Sequence, residues 1–364
     1  MTHPFDRDVA RLALEICRFT YAAGVGNAAN TSDQDNALDY IKSHSSPLMD
    51  PLPIVGGETS FACVVPYADR NVVSYMGTKT EFRAVKFSEF VDLLKNGDAL
   101  SVALKAKGFV RQFLQSLKDW GNNGRARPVS FHLDGEHIGQ KQGVTLEGHV
   151  HEGFLSELHA VQGEIVSLLR QLKHADGTDR KVLVTGHSQG GAEAALAARA
   201  LVAAGFDVEV TYTFAAPRTG TQEFADSVTT PVHRIEFGDD IVPHLPPTLI
   251  RKLLEDFVAE HKLLLKMLTL LDDIEIAISS LTDFGYVGLG PLCYGDPVEK
   301  KFHIDLSAAE ERVLLEKRLI QLKKNPKHWG DHHHLAGTNA EVSAGLRGNY
   351  TVLVSPEPEG WPIA

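Results

Sequence analysis

Val182-Leu183-Val184-Thr185-Gly186-His187-Ser188-Gln189-Gly190-Gly191-Ala192 is the stretch on which the fold turns. The strand-forming residues Val182–Thr185 run into a Gly-x-Ser-x-Gly turn, and the alanine-rich run Gly190–Ala204 follows as a helix. The pentapeptide alone is common. A strand before it and a helix after it are what a sharp turn needs in order to project a serine hydroxyl. The two glycines let strand and helix approach without a side-chain clash, and the helix start aims free N–H groups at the hydroxyl. Ser188 is therefore the candidate nucleophile. Gly191, Ala192, Ala194 and Ala195 are small enough for the helix to lie close on a sheet.

Around this centre the chain alternates between helix and strand. Phe154–Lys173 reads as a helix, Val208–Phe214 as a strand, 220–228 as a short helix and Val232–Phe237 as a strand. Such alternation predicts a parallel sheet with helices on both faces. Upstream, 6–24 is a helix with Val9, Leu12, Ala13, Ile16 and Phe19 at helical spacing. Residues 25–56 read as loop with a short helix. Ser60–Val65 and Val72–Tyr75 form a hairpin about Ala68-Asp69-Arg70-Asn71. Residues 84–120 hold two apolar-striped helices, and 121–143 read as loop. Downstream come an amphipathic helical stretch at 249–281, a strand and turn at Tyr286–Tyr294, a charged helix at 307–324 and a coil tail.

A serine hydroxyl needs a general base and a carboxylate that orients the base. Where a turn of this kind carries the serine, acid and base follow it in the chain. The loop after the strand Val232–Phe237 offers Asp239 and Asp240, which compete for the acid. The base candidates are His303, His328, His332, His333 and His334, with Asp331-His332-His333-His334-Leu335 the best setting. Three adjacent histidines fit a metal patch or a solvated loop as well.

Composition narrows the classes. Hydrophobic residues make up 43% and charged residues 23% of 364, which is ordinary for a globular protein and enough for a large core. The formal charge of −11 argues against nucleic acid as the main partner. Cys17, Cys63 and Cys293 sit among apolar neighbours, so they read as buried thiols, with no disulfide framework and no Cys-x-x-Cys metal site. The start Met-Thr-His-Pro-Phe-Asp-Arg-Asp has no basic and apolar leader pattern, and no run of 18 uncharged apolar residues follows. The expected location is cytoplasmic, with leaderless export or a removed leader left open.

Five stretches in order resemble the class 3 lipase family, the group of the fungal triacylglycerol lipases. They are Val72-Val73-Ser74-Tyr75-Met76-Gly77-Thr78, Val150-His151-Glu152-Gly153-Phe154, Val184–Ala192, Thr213-Phe214-Ala215-Ala216-Pro217-Arg218-Thr219-Gly220, and Asp240-Ile241-Val242-Pro243-His244-Leu245-Pro246-Pro247. Together they cover roughly residues 60–250. The resemblance implies the α/β-hydrolase fold: a mostly parallel central sheet flanked by helices. It implies Ser188 as nucleophile, Asp240 as acid, His332 as base with His334 as the alternate, and the backbone N–H groups of Gln189 and Thr78 as oxyanion hole. Met76 stands where the family often has Arg, Gln189 where it has Leu, and no Tyr follows the histidines at the family's usual distance. The chain is read as a single α/β-hydrolase domain over 1–364. It carries an insertion at 80–148 with a candidate lid at 84–118, and a helical insertion at 249–282.

The expected reaction is hydrolysis of a carboxylic ester, foremost an acylglycerol, through an acyl-enzyme. Phospholipase A1 or another carboxylesterase is the alternative. A catalytically silent binding protein is the reading from another class, and a toxin-like phospholipase a further one. No metal and no organic cofactor is called for. The expected partners are a lipid or other ester substrate, a transient lipid interface, and a second copy of the chain through 251–282.

Overall fold

The computed structural model describes residues 4–24, 38–43, 45–56, 60–77, 127–240, 242–245, 284–324, 332–333, 350–355 and 360–364, with isolated residues between 255 and 275. In chain order the elements are α1 (Arg7–Gly24), β1 (Leu52–Gly56), β2 (Ser60–Pro66), β3 (Arg70–Tyr75), β4 (Pro128–Leu133), α2 (Gly135–Ile138), β5 (Val144–His151), α3 (Glu152–Gln171), β6 (Lys181–His187), α4 (Gln189–Ala203), β7 (Val208–Phe214), α5 (Gln222–Ser227), β8 (Val232–Phe237), β9 (Leu292–Asp296), β10 (Lys301–Leu306), α6 (Ala308–Lys324) and α7 (Tyr350–Val354).

One sheet runs in the order β1-β2-β3-β6-β7-β8-β9-β10. Its centre, β3 through β9, pairs in parallel, while β1-β2-β3 and β9-β10 are antiparallel. The residues of β6 alternate between two cores. Val182 and Val184 pack among α3 and α4, whereas Leu183 faces the cluster of α1 and α7. That alternation is the period of a strand buried on both faces. A mostly parallel sheet covered on both sides, with a serine at the turn between β6 and α4, is the α/β-hydrolase architecture.

The expected helices and strands of 154–240 are all present. Three regions differ from the sequence reading. Residues 25–56 were expected as loop, yet they contain the edge strand β1, whose Ile54 packs in the core. Residues 121–143 were also expected as loop. They contain β4 and α2, and β4 pairs with β5 in a second sheet. The coil tail contains α7, which packs against α1. In each case the element is short, with too few repeats to stand out from loop, and is fixed by what it packs against.

Two local devices are clear from chemistry. His151 ends β5 and caps α3, its Nδ1 accepting the Phe154 N–H at 3.3 Å while its ring stacks on Phe154. Burial pushes this imidazole down to about 4, so it stays neutral and can accept. Ser307 and Glu310 cap α6 reciprocally.

The candidate lid at 84–118 lies outside the described residues. Of 249–282, only Glu255, Val258, Ala259, Lys262, Lys266 and Glu275 are described, all helical, with Val258 alone buried. Among the described residues no helix is long and apolar enough to cross a membrane.

The turn at Ser188 rests on backbone contact. A Cβ on Gly186 would stand 2.0 Å from the Gly190 carbonyl oxygen, and one on Gly190 would stand 2.2 Å from the Tyr75 carbonyl oxygen. Gly190→Ala is therefore expected to cost about 3 kcal/mol or more, since backbone on both sides has no room to give. Gly205→Ala, where a Cβ meets nothing but φ is +92°, is expected to cost about 1 kcal/mol. Chemical denaturation of the two variants compares them directly, and equal losses would count against backbone crowding as the origin of the motif.

Candidate active site

Ser188 joins β6 to α4 with φ 58° and ψ −129°, a conformation that a residue with a side chain rarely adopts. Its N–H donates to the Phe214 carbonyl at 2.9 Å, and its carbonyl accepts the Gly191 N–H at 2.9 Å. The peptide is thus held from β7 on one side and from the first turn of α4 on the other, which aims the hydroxyl off the end of the sheet.

His333 meets that hydroxyl. Its Nε2 lies 2.8 Å from Ser188 Oγ, and its Nδ1 lies 2.9 Å from Asp240 Oδ2. An ionised carboxylate only accepts, so Nδ1 carries the proton and Nε2 is left to accept the serine O–H. Asp240 is fully buried. Its Oδ1 accepts the Val242 N–H at 2.9 Å, and its Oδ2 also accepts from the Tyr350 hydroxyl at 3.4 Å.

The neighbouring histidines hold this arrangement in place. His332 points away from Ser188, its Nδ1 accepting the Asp239 N–H at 2.7 Å and its ring set edge-on to Phe237. Gly238, at φ +51°, leaves the space the ring fills: a Cβ there would stand 2.5 Å from His332 Nδ1. His187 works from the other side. Its Nε2 donates to the His333 carbonyl at 2.8 Å, and its Nδ1 takes the Tyr21 hydroxyl at 3.0 Å. A carbonyl only accepts, which fixes the His187 tautomer.

Under the acid loop lies a buried ion network. Glu236 of β8 is bridged at 2.5 Å by both Arg234 and Arg318, and Arg234 continues to Glu311 at 2.8 Å. Arg318, from α6, also donates to the Asp240 backbone carbonyl at 3.0 Å. Burial by itself would raise the Glu236 carboxyl, but Arg234 and then Arg318 outweigh it and hold it down at about 2. His244 is fully buried beside the same guanidinium groups; burial first, then Arg318, keep it well below the usual imidazole range and hence neutral.

Gln189 opens α4 directly after Ser188, and its side chain donates to Glu193 Oε1 at 2.9 Å. Burial pushes the Glu193 carboxyl well above its usual range, against the hydrogen bond from Gln189.

Of the predicted site residues, Ser188 and Asp240 are brought together, and Gln189 stands next to Ser188. Asp239 contributes its backbone to His332, and Asp240 alone of the pair meets His333. The expectation for His332 is corrected: His333 occupies the position between serine and carboxylate. Adjacent residues in a turn point in different directions, and identical side chains give no sign of which one faces inward. Thr78 and the alternate His334 lie outside the described residues. The sequence reading missed Tyr21, Arg318 and Tyr350, which come from distant elements without a local motif, and the bridging role of His187 within the motif itself.

The ion network carries a pH signature. Glu236 falls from an ordinary 4.5 to about 2 in the fold, so its contribution is full above pH 4.5 and is lost as pH falls toward 2. The expected loss across that window is on the order of 3 kcal/mol. Urea denaturation between pH 5 and 2.5 measures it. Glu236→Gln should destabilise by about 3–5 kcal/mol by leaving buried guanidinium charge uncompensated, and should flatten that part of the pH slope. An unchanged slope would exclude Glu236 as its source.

One comparison with known proteins falls on this part of the chain. Residues 110–250 match the family model for lipase (class 3). A secreted mono- and diacylglycerol lipase of Fusarium solani is 43% identical over 101 residues, covering 27% of this chain and 30% of that protein. A lipase of Rhizomucor miehei is 42% identical over 106 residues, covering 27% of this chain and 29% of the relative. The chain therefore spans less than a third of each of these two relatives. The solved Rhizomucor miehei triacylglyceride lipase covers 80% of both chains at 19% identity and a TM-score of 0.46. At that score the fold is carried by the strand order and elbow described above, not by the superposition. The stretch matched by the class 3 lipase model, residues 110–250, is the one that holds Ser188 and Asp240.

Proposed function

We propose that this protein is a serine carboxylic-ester hydrolase acting on acyl lipids, with Ser188 as nucleophile, His333 as general base and Asp240 as the carboxylate that orients it. The observation that carries the reading is the pair of contacts at His333, 2.8 Å to Ser188 and 2.9 Å to Asp240. Ser188 Oγ bonds to the ester carbonyl carbon while its proton passes to His333 Nε2. The carbonyl π electrons move to the oxygen, and Asp240 stabilises the imidazolium. The carbonyl re-forms as the alkoxide leaves, taking the proton from Nε2. Water then attacks the acyl-serine by the same route and releases the acid. The N–H groups of Gln189 and Thr78 are proposed to receive the oxyanion, each worth about 3 kcal/mol by analogy with other acyl-transfer sites.

The lipid substrate class rests on the family and on the names of the relatives, with acylglycerol foremost and phospholipid as the alternative within the same chemistry. The region 84–118 is proposed as the lid over the acyl site, from its apolar helical spacing.

A fluorophosphonate probe, with peptide mapping and a detergent arm, is expected to label Ser188. Ser188→Ala and His333→Ala should each lower kcat by about 10⁴-fold or more, and Asp240→Asn by about 10⁴-fold. His332→Ala should retain activity within about tenfold, because that ring acts on the Asp239 backbone. Loss of activity in His332→Ala with retention in His333→Ala would reverse the assignment. A series of p-nitrophenyl esters from acetate to long acyl chains reads out the substrate class: a strict preference for acetate would exclude an acyl-lipid hydrolase.

A further inference from the structure

Three strands converge on a second cluster of chemistry-bearing side chains, remote from Ser188. His233 lies near the start of β8, at the opposite end of that strand from Asp240. Cys293 in β9 stands in register with Ile235 of β8. His233 and Ile235 are two residues apart, so His233 and Cys293 share one face of the sheet. Asp305 comes from β10, where the pairing with β9 breaks register between His303 and Leu306. It holds a left-handed backbone at φ 52°, and its carboxylate turns back over β9 to the other two.

The distances are those of a ligand set. Asp305 Oδ1 lies 3.2 Å from His233 Nδ1 and 3.5 Å from Cys293 Sγ, and the three ligand atoms all fall within 4.8 Å of one another. Tetrahedral zinc with Zn–N and Zn–O bonds of about 2.0 Å and a Zn–S bond of about 2.3 Å places N and O about 3.3 Å apart, and S and O about 3.5 Å apart. One thiolate, one imidazole and one carboxylate select zinc over calcium or magnesium, which take oxygen. The surroundings suit it too. Tyr212 stacks on the His233 ring at 5.2 Å and Phe5 sets its edge against it at 5.3 Å, which orients the imidazole. His233 and Cys293 are buried while Asp305 is exposed, so the cluster opens to water on one side only.

We propose that His233, Cys293 and Asp305 bind a zinc ion through Nδ1, Sγ and Oδ1, with water as the fourth ligand. On binding, the Cys293 S–H bond breaks, the Zn–S bond forms and the proton passes to solvent; nothing is oxidised or reduced. The ion ties together β8, β9 and β10, the last strands of the sheet, at the end away from the ester site. Its role is to stabilise the fold and not to take part in ester cleavage.

The test uses the full chain without a polyhistidine tag, stripped with a chelator and titrated with cobalt(II). The expected result is a near-ultraviolet thiolate-to-cobalt band with visible bands of tetrahedral intensity, saturating at one ion per chain and bleached by zinc. Surface histidines that bind cobalt give no sulfur band. Cys293→Ser should abolish the band. Asp305→Asn, a change at an exposed side chain, should weaken binding at least tenfold with the fold intact. Zinc should raise the Tm of the stripped protein by several degrees, by less at the same zinc concentration in Asp305→Asn, and not in Cys293→Ser. A wild-type protein without a sulfur band overturns the proposal, as does a band that persists in Cys293→Ser. If Cys293→Ser does not fold, unchanged affinity in Asp305→Asn overturns it alone.

Discussion

The backbone at Ser188 is the constraint on which the remaining geometry depends. A residue with a Cβ held at φ 58° carries roughly 1–3 kcal/mol of strain, and it persists only where its surroundings over-determine it. Here they do. β6 is hydrogen-bonded to β3 and β7 on its two sides, and α4 packs onto the same strands through a face of alanines. Gly186 and Gly190 let three backbones meet at a separation that admits no side chain. The elbow therefore belongs to the centre of the sheet. No shorter fragment would fix it, because the restraint comes from β3 and β7, more than a hundred residues and about twenty residues away in the chain.

With the serine fixed, the remaining problem is to hold the His333 imidazole, which lies in a turn. The backbone anchors do this. The His333 carbonyl is held by His187, which is itself next to Ser188, so the imidazole and the serine share one strut. The Asp239 N–H is held by His332, which ties the loop of Asp240 to the residue beside His333. The Asp240 carbonyl is held by Arg318. Each anchor acts on the main chain next to one of the three side chains and leaves the Ser–His–Asp contacts to the side chains themselves. Under the proposed function this is the preorganisation that acyl transfer draws on.

The sequence was most legible where function compresses into a local pattern. The elbow, the alternation from 154 to 240 and the acid loop all announce themselves through spacing that sterics require. Asp240 could be selected over Asp239 only through the resemblance, since either carboxylate could orient a base. Legibility ended at the histidine run, where identical side chains follow one another in the sequence and the choice depends on which direction each bond takes. It also ended at β1, β4 and α7, which carry too few repeats to stand out from loop and are specified by what they pack against.

The charged helix α6 shows why composition alone misjudges a segment. It reads as polar, and most of it is exposed, yet Arg318 is 2% exposed and sits over β8. In β8, Arg234 and Glu236 face one side, while His233, Ile235 and Phe237 face the other, so a fully buried strand is ionic on one face. A well-packed apolar set of similar volume could match that network in stability, because desolvation consumes much of what buried ion pairs gain. It could not donate to the Asp240 carbonyl. The charges in β8 and α6 are thus better explained by what they position than by what they stabilise, and the position they fix is that of the Asp240 carboxylate behind His333.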